Sequence, residues 1–483
     1  MVMSGTSLML QFTLALVLVA LAILSLQLAV LAILRMYRAP RHLRMPLIPD
    51  EALPHVLVQL PVCDEGSLAV RVAASAAQLD WPKDKLEIQL LDDGPAHKHE
   101  ALIAAVRDVV PADVNLKIMR RGERAGFKAG NLAFGLTHSQ APYVAVFDAD
   151  FVPPRDFLRR TVPALVADNG LAFVQARWGH ANRNRNWLTR AQGFLLDSHF
   201  AVEQEARFRA GLPMSFNGTA GVWSREAIDN GGGWTGDTLT EDLDLSMRCS
   251  LKGYRMGFVH DLEVPGELPE TAAAWRAQQA RWTKGHAQCA AKLLPLIWSS
   301  AIPLWQKTAM TLQMCQFGFY LLAGTSAVIS LVLMYLDVVY LDSVATLGLI
   351  VTALGISTSL FYLRLGQQML GREHEPYFLP SLLLAMIFPS GLVLSNARAT
   401  YEALSGKPMD FARTPKAGAA IVGGWRGSPE LVTGISLPVF ALTEQAWSLP
   451  FFIIAAAGLL LIGGMGLQGR LARLPAPDSA PGE

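Results

Sequence analysis

The sequence predicts an α/β domain on a mainly parallel sheet, inserted between an N-terminal transmembrane helix and a C-terminal bundle of transmembrane and interfacial helices. Three observations predict it: an uncharged run at 8–34, five short apolar runs alternating with helical stretches within 45–290, and a return to apolar spans after 305. The composition agrees. The 483 residues are 52% hydrophobic and 17% charged with mean hydropathy +0.30, too apolar for an ordinary soluble enzyme and too charged for a pure transporter bundle. Net charge is +1 without a long basic or acidic run, so nucleic acid is not an expected partner. Cys63, Cys249, Cys289 and Cys315 lack CxxC spacing, which argues against a zinc site or disulfide framework and fits a reducing compartment.

The uncharged run at 8–34 reaches about 40 Å as a helix, more than the roughly 30 Å hydrocarbon core requires. It is too long for a cleaved signal peptide, with no basic residue before it and no small-residue cleavage site after it. Arg35, Arg38, Arg41 and Arg44 follow, and the positive-inside tendency then places 45–290 in the cytoplasm, at a plasma (inner) membrane. Within that domain VLVQLPV (56–62), LEIQLLDD (86–93), VNLKIM (114–119), YVAVFDAD (143–150) and AFVQAR (172–177) read as strands. Asp64 with Glu65, Asp92 with Asp93, and Asp148 with Asp150 fall just past strand ends, where open α/β sheets collect ligands. One acidic pair reads as a solvated turn; three at equivalent positions do not.

Residues 291–307 are short and carry Trp298 and Trp305, suiting a helix in the interface plane. Candidate spans follow at 308–336, 343–363 and 376–397, with 431–443 and 447–467 forming a hairpin inside 429–468. If all cross, the basic stretch Arg398 to Lys416 lies opposite the soluble domain. The segment 376–397, interrupted by Pro389, Ser390 and Gly391, is therefore expected not to cross fully, which leaves 398–428 on the catalytic side. The Pro-rich end, 469–483, is expected to be a disordered tail.

Strand alternation is expected to project Asp148 and Asp150 to one side, with Ala149 away. Two hard carboxylates with few other protein ligands suit Mg2+ or Mn2+ shared with a substrate diphosphate. Thr240, Glu241 and Asp242 open an amphipathic helix. Thr240 as a plain N-cap is one reading; the other makes Asp242 a general base toward a hydroxyl. Lys128 in GFKAGN, flanked by Gly126 and Gly130, sets a cation and backbone amides where a phosphate can be met. Gln278, Arg281 and Trp282 in QQARW combine amide, guanidinium and a flat indole, which suits a diphosphate and a sugar ring or, alternatively, a membrane interface with a snorkelling Arg.

With FDAD (147–150), TEDLDLSMR (240–248) and QQARW (278–282) in this order, residues 54–290 resemble the catalytic domain of membrane-embedded inverting glycosyltransferases of family 2, in the cellulose synthase superfamily. QARW (175–178), DSHFAVEQEARF (197–208), FNGTAGVW (216–223), GGW (232–234) and ELP (267–269) are similar to the cellulose synthase-like A glucomannan 4-β-mannosyltransferases. The resemblance implies a GT-A nucleotide-diphospho-sugar transferase domain that moves a hexose, with GDP-mannose favoured over UDP-glucose, to a growing β-glycan and exports it, an export partner being possible in that scheme. It implies that Asp64, Glu65 and Asp93 contact the nucleoside, Asp148 and Asp150 hold metal and diphosphate, and Asp242 is the base. Gln278, Arg281 and Lys128 would serve the diphosphate, and Glu241, Trp282, Gly218, Thr219 and Ala220 the acceptor. FARTPKAG (411–418) resembles the gating loop of processive synthases, matching at Phe411, Thr414 and Lys416. Two positions depart from the pattern: Asp93 is followed by Gly94, Pro95 and Ala96 where the family has Ser or Thr and a further Asp, and Arg413 replaces the gating-loop Val. A ceramide-type lipid glucosyltransferase, sharing DxD and an RW-containing motif, and a membrane scaffold or transporter with a degenerate transferase domain are the rival readings.

Overall fold

The structure is a computed structural model that describes residues 5–406, 428–443 and 449–471. An apolar helix α1 (Gly5–Tyr37) leads into β1 (Val56–Val62), α2 (Ser67–Ala76), β2 (Leu86–Asp92), α3 (His99–Val109), β3 (Leu116–Met119), α4 (Phe127–Leu136) and β4 (Tyr143–Val146). Next come α5 (Val162–Ala167), β5 (Leu171–His180), α6 (Trp187–Ser198), a π-helical turn at His199–Gln204, α7 (Glu205–Ala210), β6 (Gly221–Ser224), α8 (Arg225–Asn230), α9 (Glu241–Leu251) and β7 (Arg255–Gly266). The remainder is helical: α10 (Ala272–Ser299), α11 (Leu304–Cys315), α12 (Phe319–Tyr335), α13 (Asp342–Met369), α14 (Phe378–Ser390), α15 (Val393–Leu404), α16 (Ser428–Thr443) and α17 (Leu449–Leu471).

The seven strands are ordered β3-β2-β1-β4-β6-β5-β7. β1, β2, β3 and β4 pair in parallel, as do β5 and β7, whereas β6 runs antiparallel to both β4 and β5. In β1, Val56, Val58 and Leu60 join one core with Ile88, Leu90 and Phe157, while Leu57 joins the opposite core with Leu91, Val146 and Trp223. A strand buried on both faces has no polar side to show, which is why VLVQLPV reads as a continuous apolar run. The sequence reading misses β6 and β7. β6 has only Val222 and Trp223 between Gly221 and Ser224, and β7 carries Arg255, His260, Asp261 and Glu263, so neither stands out as an apolar strand. The fourth strand also stops at Val146, so the Asp148–Asp150 segment is a turn and its side chains are not set by strand alternation.

Three helices among the described residues are long and apolar enough to cross a membrane: α1, the run Leu304–Tyr335 and α13. α14 and α15 pass the same test together but bend by 44° at Gly391–Leu392, immediately after the Pro389–Gly391 interruption. Gly391 meets Gly458 of α17 at backbone distance, a crossing that admits no side chain. The stretch 291–307 is not a separate interfacial helix: its first part is the end of the 28-residue α10, which carries Pro295 internally, and its last part begins α11. Trp298 and Trp305 are both half exposed.

The bundle grips the catalytic domain through charge. Asp197, fully buried at the end of α6, is bound by Arg183, by Arg372 at 2.9 Å and by Gln367 Nε2 at 3.2 Å. Gln367 and Arg372 lie at the end of α13 and just beyond it. Arg190 of α6 donates to Ser381 Oγ of α14 at 2.7 Å and to the Pro376 carbonyl. Gly366 of α13 lies against the Ser198 backbone, where a Cβ would collide. Arg35, at the end of α1, donates to the Ala201 carbonyl at 2.8 Å.

Candidate active site

The carboxyl ends of β1, β2 and β4 form one rim of a cleft. After β1 the chain turns sharply with Asp64 in the left-handed region (φ 62°). Asp64 pairs with Lys98 at 2.9 Å, and Glu65 accepts the Cys63 backbone N–H. Asp92, buried, accepts from Gly94 N at 2.7 Å and lies 2.6 Å from His99 Nδ1. A Cβ on Gly94 would stand 2.8 Å from the same carboxylate, so this turn needs glycine. Asp93 is held at both oxygens by Arg121, at 2.8 and 2.6 Å. Arg121 also donates to the Ala125 and Phe127 carbonyls, fixing the left-handed pair Gly126 (φ 68°) and Phe127 (φ 49°) from which α4 starts.

That turn aims Lys128 at the acids rather than outward from the helix N-terminus. Its ammonium lies 2.6 Å from Asp148 Oδ1, 2.8 Å from the Gly218 carbonyl and 3.8 Å from Glu241 Oε1. Burial opposes its charge, but Asp148, Glu241 and Asp242 outweigh burial and raise its pKa above the ordinary lysine value. Asp148 is itself pinned, its backbone N–H donating to Thr219 Oγ1 at 2.9 Å. Asp150, 7% exposed, lines the same cleft.

Gly218 (φ 79°) and Ala220 (φ 59°) give the FNGTAG loop two left-handed residues. A Cβ on Gly218 would fall 3.1 Å from Asp242 Oδ2 and 3.4 Å from Lys128 Nζ, so the loop presses its backbone directly against the acidic pair. Glu241 and Asp242 open α9, where the helix dipole favours negative charge. Thr240 precedes them but makes no cap; its hydroxyl pairs with Cys289 Sγ of α10 at 3.3 Å, and Gly285 of α10 leaves the room it fills. Burial, reinforced by the adjoining Glu241, pushes the Asp242 carboxyl up to about 7 against the pull of Lys128. Burial raises Glu241 as well.

The cleft measures about 480 Å3 and gathers Glu65, Asp93, Lys128, Asp148, Asp150, Gly218, Glu241, Asp242, Gln278, Arg281 and Trp282. Burial lowers the Arg281 pKa while Asp148, Glu241 and Asp242 raise it, so the guanidinium stands within reach of all three charges. The lining continues past Trp282 to His286, Phe317, Tyr320 and Pro389 on α10, the α11–α12 connection, α12 and α14. Phe411, Thr414 and Lys416 lie outside the described residues.

Residues 143–363 match the family model described as glycosyl transferase family group 2. The chain carries a family 2 glycosyltransferase domain. It is 40% identical over 283 residues to glucomannan 4-beta-mannosyltransferase 1 of Oryza sativa subsp. japonica, covering 56% of this chain and 54% of that protein. It is also 40% identical over 262 residues to glucomannan 4-beta-mannosyltransferase 7 of Arabidopsis thaliana, covering 53% and 47%. The chain spans about half the length of the curated relatives it matches. Among solved structures, the mannosyltransferase PcManGT of Pyrobaculum calidifontis, in complex with GDP-Man and Mn2+, superposes over 82% of this chain and 100% of its own with TM-score 0.56 at 20% identity, which establishes the GT-A fold.

The glycosyltransferase site contains groups that sequence reasoning passes over. Gln175, fully buried in β5, accepts the Asn217 N–H and donates to the Thr219 and Ala220 carbonyls, holding the strained loop from behind. His199 and Gln204 reach Asn217 from the π-helical turn, and Glu203 of the same turn pairs with His199 Nδ1. These residues sit inside the runs QARW and DSHFAVEQEARF, which resemblance picks out but which carry no spacing that announces chemistry.

Proposed function

We propose that this glycosyltransferase moves mannose from GDP-mannose, with inversion, to the growing end of a β-1,4-linked glycan, and does so processively at the cytoplasmic face of a plasma (inner) membrane. The observation that carries the reading is the placement of Asp242, its pKa lifted to about 7, in a cleft that joins the Asp148–Asp150 turn to the aromatic mouth of the helix bundle. A base of that pKa is half ionised near neutrality, where general-base catalysis is most efficient. The relatives named as glucomannan 4-beta-mannosyltransferases support mannose as the transferred sugar and the linkage.

In this reading Asp242 removes the proton from an acceptor hydroxyl while that oxygen bonds to the anomeric carbon and the bond from that carbon to the diphosphate oxygen breaks. Gln278 and Arg281 bind the departing diphosphate, and Trp282 lies under the acceptor sugar. Glu241 and Lys128 set the charge around the base. Asp64, Glu65 and Asp93 edge the nucleoside end, and Gly218, Thr219 and Ala220 the acceptor end. Asp148 and Asp150 are hard oxygen donors, and among the described residues no cluster of three His, Cys, Asp or Glu groups completes a coordination shell, a donor set that fits Mg2+ or Mn2+ shared with a diphosphate. Such an ion, when bound, offsets the negative charge of the diphosphate. The continuation of the cleft to Phe317 and Tyr320 supports passage of the product into the bundle, with Phe411, Thr414 and Lys416 as the donor-covering segment.

Product analysis tests this. Purified protein given labelled GDP-mannose with Mn2+ or Mg2+ is expected to make a polymer cut by β-mannanase. A labelled lipid extracted into organic solvent, or turnover of UDP-glucose alone, would overturn it.

A further inference from the structure

Behind the Phe216–Ala220 loop runs a chain of hydrogen bonds that the reaction scheme above leaves unused, and its polarity is fixed at one end by the backbone. The Ser215 carbonyl can only accept, so the Gln204 amide meeting it at 2.9 Å presents Nε2. The same Nε2 donates to Asn217 Oδ1. The Asn217 amide is thereby oriented with Nδ2 toward His199 Nε2, 3.0 Å away. A ring nitrogen facing an amide NH2 must accept, which puts the His199 proton on Nδ1, 3.0 Å from Glu203 Oε2. Glu203 is 4% exposed, and its other oxygen accepts from Arg207 Nε at 3.0 Å. The π-helical geometry of His199–Gln204, a local feature that recurs at functional sites, lets one turn deliver His199 and Gln204 to the same asparagine.

Asn217 Nδ2 carries two N–H groups, and His199 takes one. Asn217 and His199 both line the catalytic cleft beside Gly218, on the loop that abuts Asp242. We propose that Asn217 is an acceptor-binding residue whose second amide N–H meets a hydroxyl of the acceptor sugar, and that Gln204 and the Glu203–His199 pair are positioning residues that fix the direction in which that amide points. The proposal rests on the transferase reading of the cleft but not on the identity of its donor.

The test uses full-length protein in detergent, GDP-mannose and β-1,4-mannohexaose, with KM measured separately for donor and acceptor. Asn217→Ala is expected to raise the acceptor KM about tenfold, the usual worth of one hydrogen bond to a neutral partner, and to leave the donor KM within twofold. His199→Gln, whose Oε1 can accept from Asn217 while its Nε2 donates to Glu203, is expected to stay within about threefold of wild type. His199→Leu is expected to raise the acceptor KM as Asn217→Ala does. An unchanged acceptor KM in Asn217→Ala, or equal values for His199→Gln and His199→Leu, overturns the proposal. If His199→Leu does not fold, Asn217→Leu decides: it keeps the branched shape of the side chain, lacks the amide donor, and must match Asn217→Ala in acceptor KM. A wild type that uses only UDP-glucose overturns the donor reading alone, and the same comparison with cellohexaose then decides this proposal.

Discussion

The ammonium of Lys128 and the carboxylate of Asp148 meet at 2.6 Å, and the same ammonium reaches across to Glu241 at 3.8 Å. One cation thus stands between the first carboxylate of the FDAD turn and the acidic pair that opens α9. Lys128 lowers the Asp242 pKa, so its removal raises it. Lys128→Met is expected to shift the rising limb of the pH–rate profile for kcat to higher pH and to lower kcat at pH 7 by at least tenfold. A profile of unchanged position would show that this cation does not act on the base.

Asp242→Asn is expected to reduce kcat by about 10² to 10⁴ with donor binding retained. It also has a signature in stability. The folded Asp242 carboxyl, lifted to about 7, holds its proton more tightly than the unfolded one, so wild type loses stability as pH rises from about 4 to 7. The asparagine variant lacks that loss. Its Tm is expected to exceed that of wild type at pH 8, with the gap closing toward pH 4; scanning calorimetry across that range checks both sign and window.

Gly218→Ala combines a left-handed backbone (φ 79°) with a Cβ 3.1 Å from Asp242 Oδ2. The left-handed strain costs about 1–2 kcal/mol, and relieving it displaces either the base or the loop. Activity is expected to fall more than tenfold while far-UV circular dichroism stays unchanged.

Asp197→Ala removes the anion between Arg183 and Arg372. Breaking a buried pair on one side costs about 3–5 kcal/mol because the partner charges stay buried. A fall in Tm in detergent of several degrees is expected, with the donor KM of the remaining folded enzyme little altered.

Metal removal is a separate check on the Asp148–Asp150 turn. EDTA is expected to abolish transfer and Mn2+ or Mg2+ to restore it, whereas Asp150→Asn is expected to remain inactive with the metal added back.

The parallel half of the sheet was legible because β1, β2 and β4 are buried on both faces and run into acid-bearing turns, a pattern that short apolar runs display openly. The antiparallel insert β6 was not, since only Val222 and Trp223 in it are apolar, between Gly221 and Ser224. Asp148, Asp150, Glu241, Asp242, Gln278, Arg281 and Trp282 converge in the cleft, and their common chemistry together with the order of their motifs along the chain is what made them readable. The commitment of Asp93 to Arg121 and the supporting ring of Gln175, His199, Glu203 and Gln204 were hidden. Polar side chains that satisfy one another in the interior look, in a linear sequence, like any other Gln or Glu in a helix or strand.

The grip of α13 and α14 on α6 bears on how this enzyme can be dissected. A fragment that stops at Ser299 would strip Arg190 of Ser381 and Pro376, and Asp197 of Gln367 and Arg372. It would also bare the apolar side of α6, where Leu188, Ala191 and Phe194 pack against Leu382, Ala385 and Phe388. Such a truncate is expected to aggregate on expression, so detergent or nanodisc preparations of the whole chain, not a water-soluble half, are the practical material for biochemistry.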